Sequence, residues 1–241
     1  MCFSASASFA GGAIISSIGL VSIIKNKEPS RNLFAAIPIV FGIQQFAEGF
    51  VWLTLQSPGH DLVLKVSTYI FLIIAVVIWP TMMPLSVVLM EQSKPKSPIY
   101  IFPMVGIAVS LCYVIGLFFF TVTAQISSYH ILYAVKSPFV FGYVGDLAYL
   151  IATLPILFVT QSRKLKLFGV IIIIAYAVTQ IFYRNYLVSV WCFFAALASV
   201  MIWLIVKEPI VHQKWHQGSA LQWRRLLQLQ VFLHQKGHNR Q

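Results

Sequence analysis

Seven apolar blocks divide this chain, and its basic residues fall between them on strictly alternating sides. A chain patterned this way is built to cross a membrane repeatedly. A helix needs about 20 mostly apolar residues to cross roughly 30 Å of hydrocarbon. Only structures that satisfy their own backbone hydrogen bonds survive there. Grouping the connections by parity places Lys25, Lys27, Arg31, Lys94, Lys96, Arg163, Lys164, Lys166 and the Lys and Arg residues after Ile205 on one side. That side holds 14 of the 17 basic residues; Lys65, Lys136 and Arg184 are the remainder. Short basic loops stay in the cytoplasm, which predicts an exported N-terminus and a cytoplasmic C-terminus. The expected fold is all-α: a polytopic, seven-transmembrane-helix bundle of the plasma (inner) membrane.

Composition narrows the partners. A hydrophobic share of 59% and a mean hydropathy of +0.83 exceed the range of soluble domains. The net charge of +11 sits in the cytoplasmic connections and the tail. It therefore points to membrane lipids with anionic headgroups and not to nucleic acid. Residues 1–206 read as one seven-helix membrane domain and residues 207–241 as a basic cytoplasmic tail. In that tail Trp215, Leu221, Trp223, Leu226, Leu227, Val231 and Phe232 alternate with Gln, Arg and Lys. The pattern fits an amphipathic helix on the inner leaflet or a contact surface for a partner. Cys2, Cys112 and Cys192 have neither metal-ligand spacing nor a disulfide framework.

Individual spans carry further signals. In the first, Ser4, Ser8, Gly12 and Ser16 recur every four residues, a small-residue stripe that permits close helix packing. The third contains Trp79-Pro80 and Met83-Pro84, which predicts a kink or an unwound segment, because proline removes a donor and crowds the preceding turn. Residues 122–138 form the largest outer connection, and its apolar stretch His130-Ile-Leu-Tyr-Ala-Val reads as interfacial or re-entrant.

Ionisable residues inside a span are costly and usually face the bundle or an aqueous cavity. Glu48 in the second span and Asp146 in the fifth are the clear cases. The two spans run in opposite directions, so both acids fall in the outer half. Gln44, Glu48 and Trp52 share a helical face with Gln45 beside them, and Tyr176, Gln180 and Tyr183 or Arg184 do the same on the sixth span. An outward-facing polar pocket accounts for this concentration. Glu48 and Asp146 supply charge, Gln44, Gln45 and Gln180 supply orientation, and Trp52, Tyr183 and Arg184 complete the ligand-binding set.

Three readings compete. In one, the pocket binds or translocates a small polar or cationic solute. In another, a buried ion-pair network joins Glu48 or Asp146 to Arg184 and has a structural role. In the third the protein is a membrane-embedded hydrolase. Glu48, His130 and Asp146 would then hold a metal ion, with His60 as a further outer histidine. Alternatively, Cys2 would act as nucleophile with His130 as base and Glu48 nearby. The residue types leave the cofactor unknown.

The opening Met1-Cys2-Phe3-Ser4-Ala5-Ser6-Ala7-Ser8-Phe9, the run Phe34-Ala35-Ala36-Ile37-Pro38 and the stretch from Phe41 to Trp52 resemble a family of uncharacterised, mostly bacterial multipass membrane proteins. Chains of that family begin Met-Cys-Phe-Ser. The resemblance implies a membrane architecture and draws attention to Cys2, Gln45, Glu48 and Trp52; it implies no activity. The seven-span count also invites comparison with membrane hydrolases related to alkaline ceramidases and the adiponectin-receptor group. Those bind zinc through intramembrane histidines. The seventh span here, Val188 to Ile205, has no histidine for that chemistry and no lysine for a retinal Schiff base.

Overall fold

Small residues decide the first packing contact. In the computed structural model, which describes residues 4–57, 59–91, 97–127, 129–135, 142–160, 162–183 and 186–207, helix α1 covers Ala5–Lys25. The Ser4 hydroxyl caps it by accepting the Ala7 N–H at 3.2 Å, satisfying one of the donors a helix start leaves open. After a 3-10 turn at Pro29–Arg31 and the short α2 (Asn32–Ala35), α3 runs antiparallel over Ile37–Gln56. The stripe predicted on α1 is the α1–α3 seam. A Cβ on Gly12 would stand 3.1 Å from the Gly42 carbonyl oxygen, and one on Gly42 would collide with the Ser16 hydroxyl. Near the other end of the seam a Cβ on Gly49 would meet the Phe9 ring at 2.8 Å. The two backbones approach because these side chains are missing or small.

The third span is one helix from Asp61 to Met90. It comprises α4 (Asp61–Leu72), a π-helical segment (Ile73–Ile78) and α5 (Trp79–Met90). At the place where a kink or an unwound segment is expected, the chain stays helical and takes wide turns immediately before Trp79-Pro80. Proline has no N–H to return to the preceding turn, and a π-turn relieves its crowding while keeping the chain helical. The neighbouring helix completes the bonding. On α6 (Ile101–Phe119), the Ser110 hydroxyl donates to the Val77 carbonyl at 2.6 Å and lies 2.9 Å from the Thr81 hydroxyl. Gly106 sits directly against the Pro80 carbonyl, with no space for a Cβ.

The outer connection, expected to be interfacial or re-entrant, contains two antiparallel strands, β1 (Val122–Ser127) with β2 (His130–Val135), in the register Val122↔Val135 to Ser127↔His130. From Val122 to Gln125 the side chains of β1 alternate between partly covered and open, as a half-buried strand requires. Phe71 of α4 stacks on Tyr133 at a centroid distance of 4.5 Å, and Ile131 is fully buried. The chain continues through α7 (Tyr143–Thr153), α8 (Pro155–Val159), α9 (Arg163–Phe182) and α10 (Leu187–Val206).

Among the described residues, Ala5–Lys25, Pro29–Gln56, Asp61–Met90, Ile101–Phe119 and Arg163–Phe182 are helices long and apolar enough to cross a membrane. Tyr143–Val159 is a shorter apolar helix, and α10 adds 20 residues without a charge. Large apolar side chains such as Ile24, Met104, Phe118 and Ile181 lie on the outside. Outward apolar faces of this extent suit lipid and not water. The chain is a multipass membrane protein with a mainly helical fold.

The interior is divided by polarity. Toward the end that carries Lys25, Arg31 and Lys166, the core is apolar, with Ile15, Phe34, Ile156, Leu157, Phe168 and Ile202 almost wholly buried. Arg31 anchors that end by donating to the Val206 carbonyl at 3.0 Å. The end capped by the hairpin holds the buried Gln44, Gln45, Glu48, Thr68, His130 and Ser189.

Candidate functional site

Helix α3 brings the central group together. Its periodicity turns Gln45, Glu48 and Trp52 toward one side, at intervals of three and four, and all three are at least 97% buried. The Ser189 hydroxyl of α10 donates to Glu48 Oε1 at 2.8 Å, and Gln45 Nε2 lies 3.5 Å from Glu48 Oε2. Two polar atoms beside the carboxylate lack partners among the described residues: the Gln45 carbonyl oxygen and the Trp52 indole N–H. Such groups are rare in native interiors because each costs about 1–3 kcal/mol. Both are matched when a small molecule offers a donor to one and an acceptor to the other.

Gln44, one turn before Glu48 on α3, accepts the Trp79 indole N–H on its carbonyl oxygen at 3.1 Å. Phe41 stacks on the same indole with centroids 4.0 Å apart. This pair fixes the start of α5 against α3 and places Gln44 on the side facing the proline-bearing span.

The hairpin roofs the site. Val51 and Trp52 pack with the buried Ile131, and Tyr133, Leu64 and Ala5 border them. His130, 7% exposed, lies between two tyrosine rings, with Tyr186 at 4.8 Å and Tyr183 at 5.4 Å between centroids. The Ser127 hydroxyl lies 2.8 Å from the Tyr186 hydroxyl, so the hairpin tip is tied to the start of α10. Burial holds the His130 imidazole below its ordinary pKa, because charging it there requires desolvating the cation.

Asp146 has its own surroundings. Near the start of α7 it lies within electrostatic reach of Tyr113 on α6, as does Tyr176 of α9. The Gln180 amide donates to the Tyr176 hydroxyl at 2.6 Å. Tyr113, Tyr149, Ala47 and Val188 belong to one packed cluster. Ala47 adjoins Glu48 and Val188 adjoins Ser189 in the chain, so this aromatic and apolar cluster borders the Glu48 group.

Of the other candidates, His60 is exposed at the start of α4, and Tyr183 is 39% exposed at the end of α9. Cys2, Arg184 and the tail beyond Lys207 lie outside the described residues. Among the described residues no three His, Cys, Asp or Glu side chains gather as a metal-binding group. Sequence reasoning missed Ser189 and Trp79. Serine is an ordinary packing residue in a membrane helix, and Trp79 drew attention only as the neighbour of a proline.

The comparisons with known proteins bear on the whole of this arrangement. The chain belongs to a family of unknown function, DUF6629, whose model matches residues 1–216. No curated protein and no solved structure matches it.

Proposed function

We propose that this protein binds, and passes on, a small polar or cationic solute in a chamber around Glu48 beneath the hairpin. In this reading the bundle has seven crossings in the plasma (inner) membrane. The hairpin end is exported, and the basic connections and tail meet anionic headgroups at the cytoplasmic face. The solute donates to Glu48 and to the Gln45 carbonyl oxygen and accepts from the Trp52 indole N–H. Asp146, with Tyr113, Tyr176 and Gln180, supplies a second acidic station.

The carrying observation is that Gln45 Oε1 and Trp52 Nε1, on the same helix as a buried carboxylate, have no partner among the described residues. A site with an open acceptor, an open donor and an acid selects for compact amines, guanidines and their hydroxylated relatives. The indole adds a favourable face for a cation.

The test uses protein reconstituted in vesicles and a panel of small organic amines and guanidinium ions. Binding is followed by tryptophan emission and transport by flux of labelled solute. The expected result is a saturable signal that Glu48→Gln and Trp52→Phe each abolish, with Asp146→Asn slowing flux more than it weakens binding. Equal behaviour of the parent, Glu48→Gln and Asp146→Asn across the panel overturns the proposal.

The Ser189 contact favours a second reading, in which Glu48 locks α3 to α10 and binds nothing. In that case Glu48→Gln lowers thermal stability, and the parent responds to no solute.

A further inference from the structure

A second recess lies on the same end of the molecule, outside the Glu48 group. It is an open cleft of about 470 Å³ between the first turns of α4 and the start of β1, bordered by Asp61, Lys65, Thr68, Tyr69 and residues 121–124. That volume is in the range of small-molecule sites.

Its lining is chemically specific. Asp61 and Lys65 are one helical turn apart and both exposed, yet neither makes a hydrogen bond or ion pair among the described residues. A carboxylate and an ammonium at this spacing commonly pair across the helix surface; here both border the cleft instead. Thr68 continues the same stripe and is 4% exposed, and its buried hydroxyl oxygen has no partner among the described residues. Threonine in a helix usually returns its hydroxyl to a carbonyl of the preceding turn, as Thr54 and Thr153 do in this chain. A χ1 rotation exchanges the Thr68 hydroxyl and methyl and presents the hydroxyl to a molecule in the cleft. Opposite, among the described residues β1 pairs with β2 alone, so its other edge offers backbone donors and acceptors.

We infer that this cleft binds a zwitterion, an ammonium joined through a few bonds to a phosphate or carboxylate. Asp61 receives the ammonium, Lys65 the anion, and Thr68 a hydrogen bond to the anion. Two sources carry this chemistry: a free solute, or a zwitterionic phospholipid headgroup. The exposed Leu62, Val63 and Val66 beside the charged pair offer an apolar surface for acyl chains in the second case.

The experiment uses the full chain in nanodiscs of phosphatidylglycerol, with O-phosphoethanolamine as the soluble probe and phosphatidylethanolamine doped into the disc as the lipid probe. Soluble binding is read by NMR line broadening of the probe and lipid retention by native mass spectrometry. Asp61→Asn and Lys65→Gln should each weaken binding about threefold to fivefold, the scale of one exposed charge contact. Thr68→Val should also weaken it. Single charge reversals, Asp61→Lys or Lys65→Asp, should abolish binding, and the double reversal should restore it, because a zwitterion can turn round. A response confined to O-phosphoethanolamine identifies a solute site; one confined to phosphatidylethanolamine identifies a headgroup site. The inference is overturned if neither probe binds the parent, if the variants bind like the parent, or if binding follows net charge so that the double reversal fails to restore it. Asp61 and Lys65 lie outside the Glu48 group, so the reversal and its rescue report on this cleft alone and not on the chamber beneath the hairpin.

Discussion

The Ser189 hydroxyl donates to the Glu48 carboxylate across 2.8 Å, joining residues 141 positions apart in the chain. Both are fully buried, so the bond works without competition from water and ties α10 to the centre of α3. Ser189→Ala leaves a buried carboxylate oxygen short of a donor. It should cost about 1–3 kcal/mol, seen as a lower unfolding temperature in detergent. Glu48→Gln keeps an acceptor for Ser189 and should cost less than Ser189→Ala.

The Trp79–Gln44 bond should show coupling in a double-mutant cycle. Gln44→Leu strands a buried indole N–H and should cost about 1–3 kcal/mol. Trp79→Phe removes the donor, and combined with Gln44→Leu it should cost clearly less than the two single losses added together. Additive losses would show that the contact at 3.1 Å contributes nothing.

Close helix approach predicts unequal costs for three glycines. A Cβ on Gly106 meets the Pro80 backbone carbonyl, which cannot move without disturbing the π-segment. Gly106→Ala should therefore destabilise by about 1–3 kcal/mol. At Gly42 the obstruction is the Ser16 side chain, so Ser16→Gly should recover much of the loss caused by Gly42→Ala. Gly142, with nothing within 4 Å of a built Cβ, should accept alanine with little change. Thermal unfolding of the variants ranks them directly.

Acid should loosen the hairpin. The folded-state pKa of His130 is depressed by burial, so the unfolded chain takes up a proton more readily than the folded one. The stability gained from the neutral ring is complete above about pH 6.5 and is lost as pH falls through the folded-state pKa. Amide exchange in residues 122–127 and 130–135 should accelerate below about pH 6.5. His130→Gln, which does not titrate, should flatten that dependence.

The legible part of this fold was whatever depends on apolar length and small-residue spacing. The last span matches Leu187–Val206, and the stripe from Ser4 to Ser16 forms the α1–α3 seam. The strands at residues 122–127 and 130–135 go beyond an interfacial or re-entrant reading of that connection, although Val122-Thr-Ala-Gln-Ile-Ser has the alternation of a strand. In a chain this apolar, a short strand signal is easily absorbed into a membrane reading. The polar residues buried on α3, Gln44, Gln45 and Glu48, stand out in the sequence, and their partners do not. Which side chain meets Glu48 or Gln44 depends on how α10 and α5 are rotated, and helix rotation is set by packing across the bundle and not by any local pattern.

The wide turns at Ile73–Ile78 also fix an angular phase. A π-turn lodges one surplus residue in a helix that otherwise advances about 100° per residue. Everything from Trp79 onward is thus offset from the azimuth an uninterrupted α-helix would give it. Excising a single residue from that stretch would let it relax to α geometry and swing Trp79, Pro80 and Thr81 away from Gln44, Gly106 and Ser110 together. The span tolerates its prolines only at this residue count, so single-residue deletions there should be far more damaging than conservative apolar exchanges.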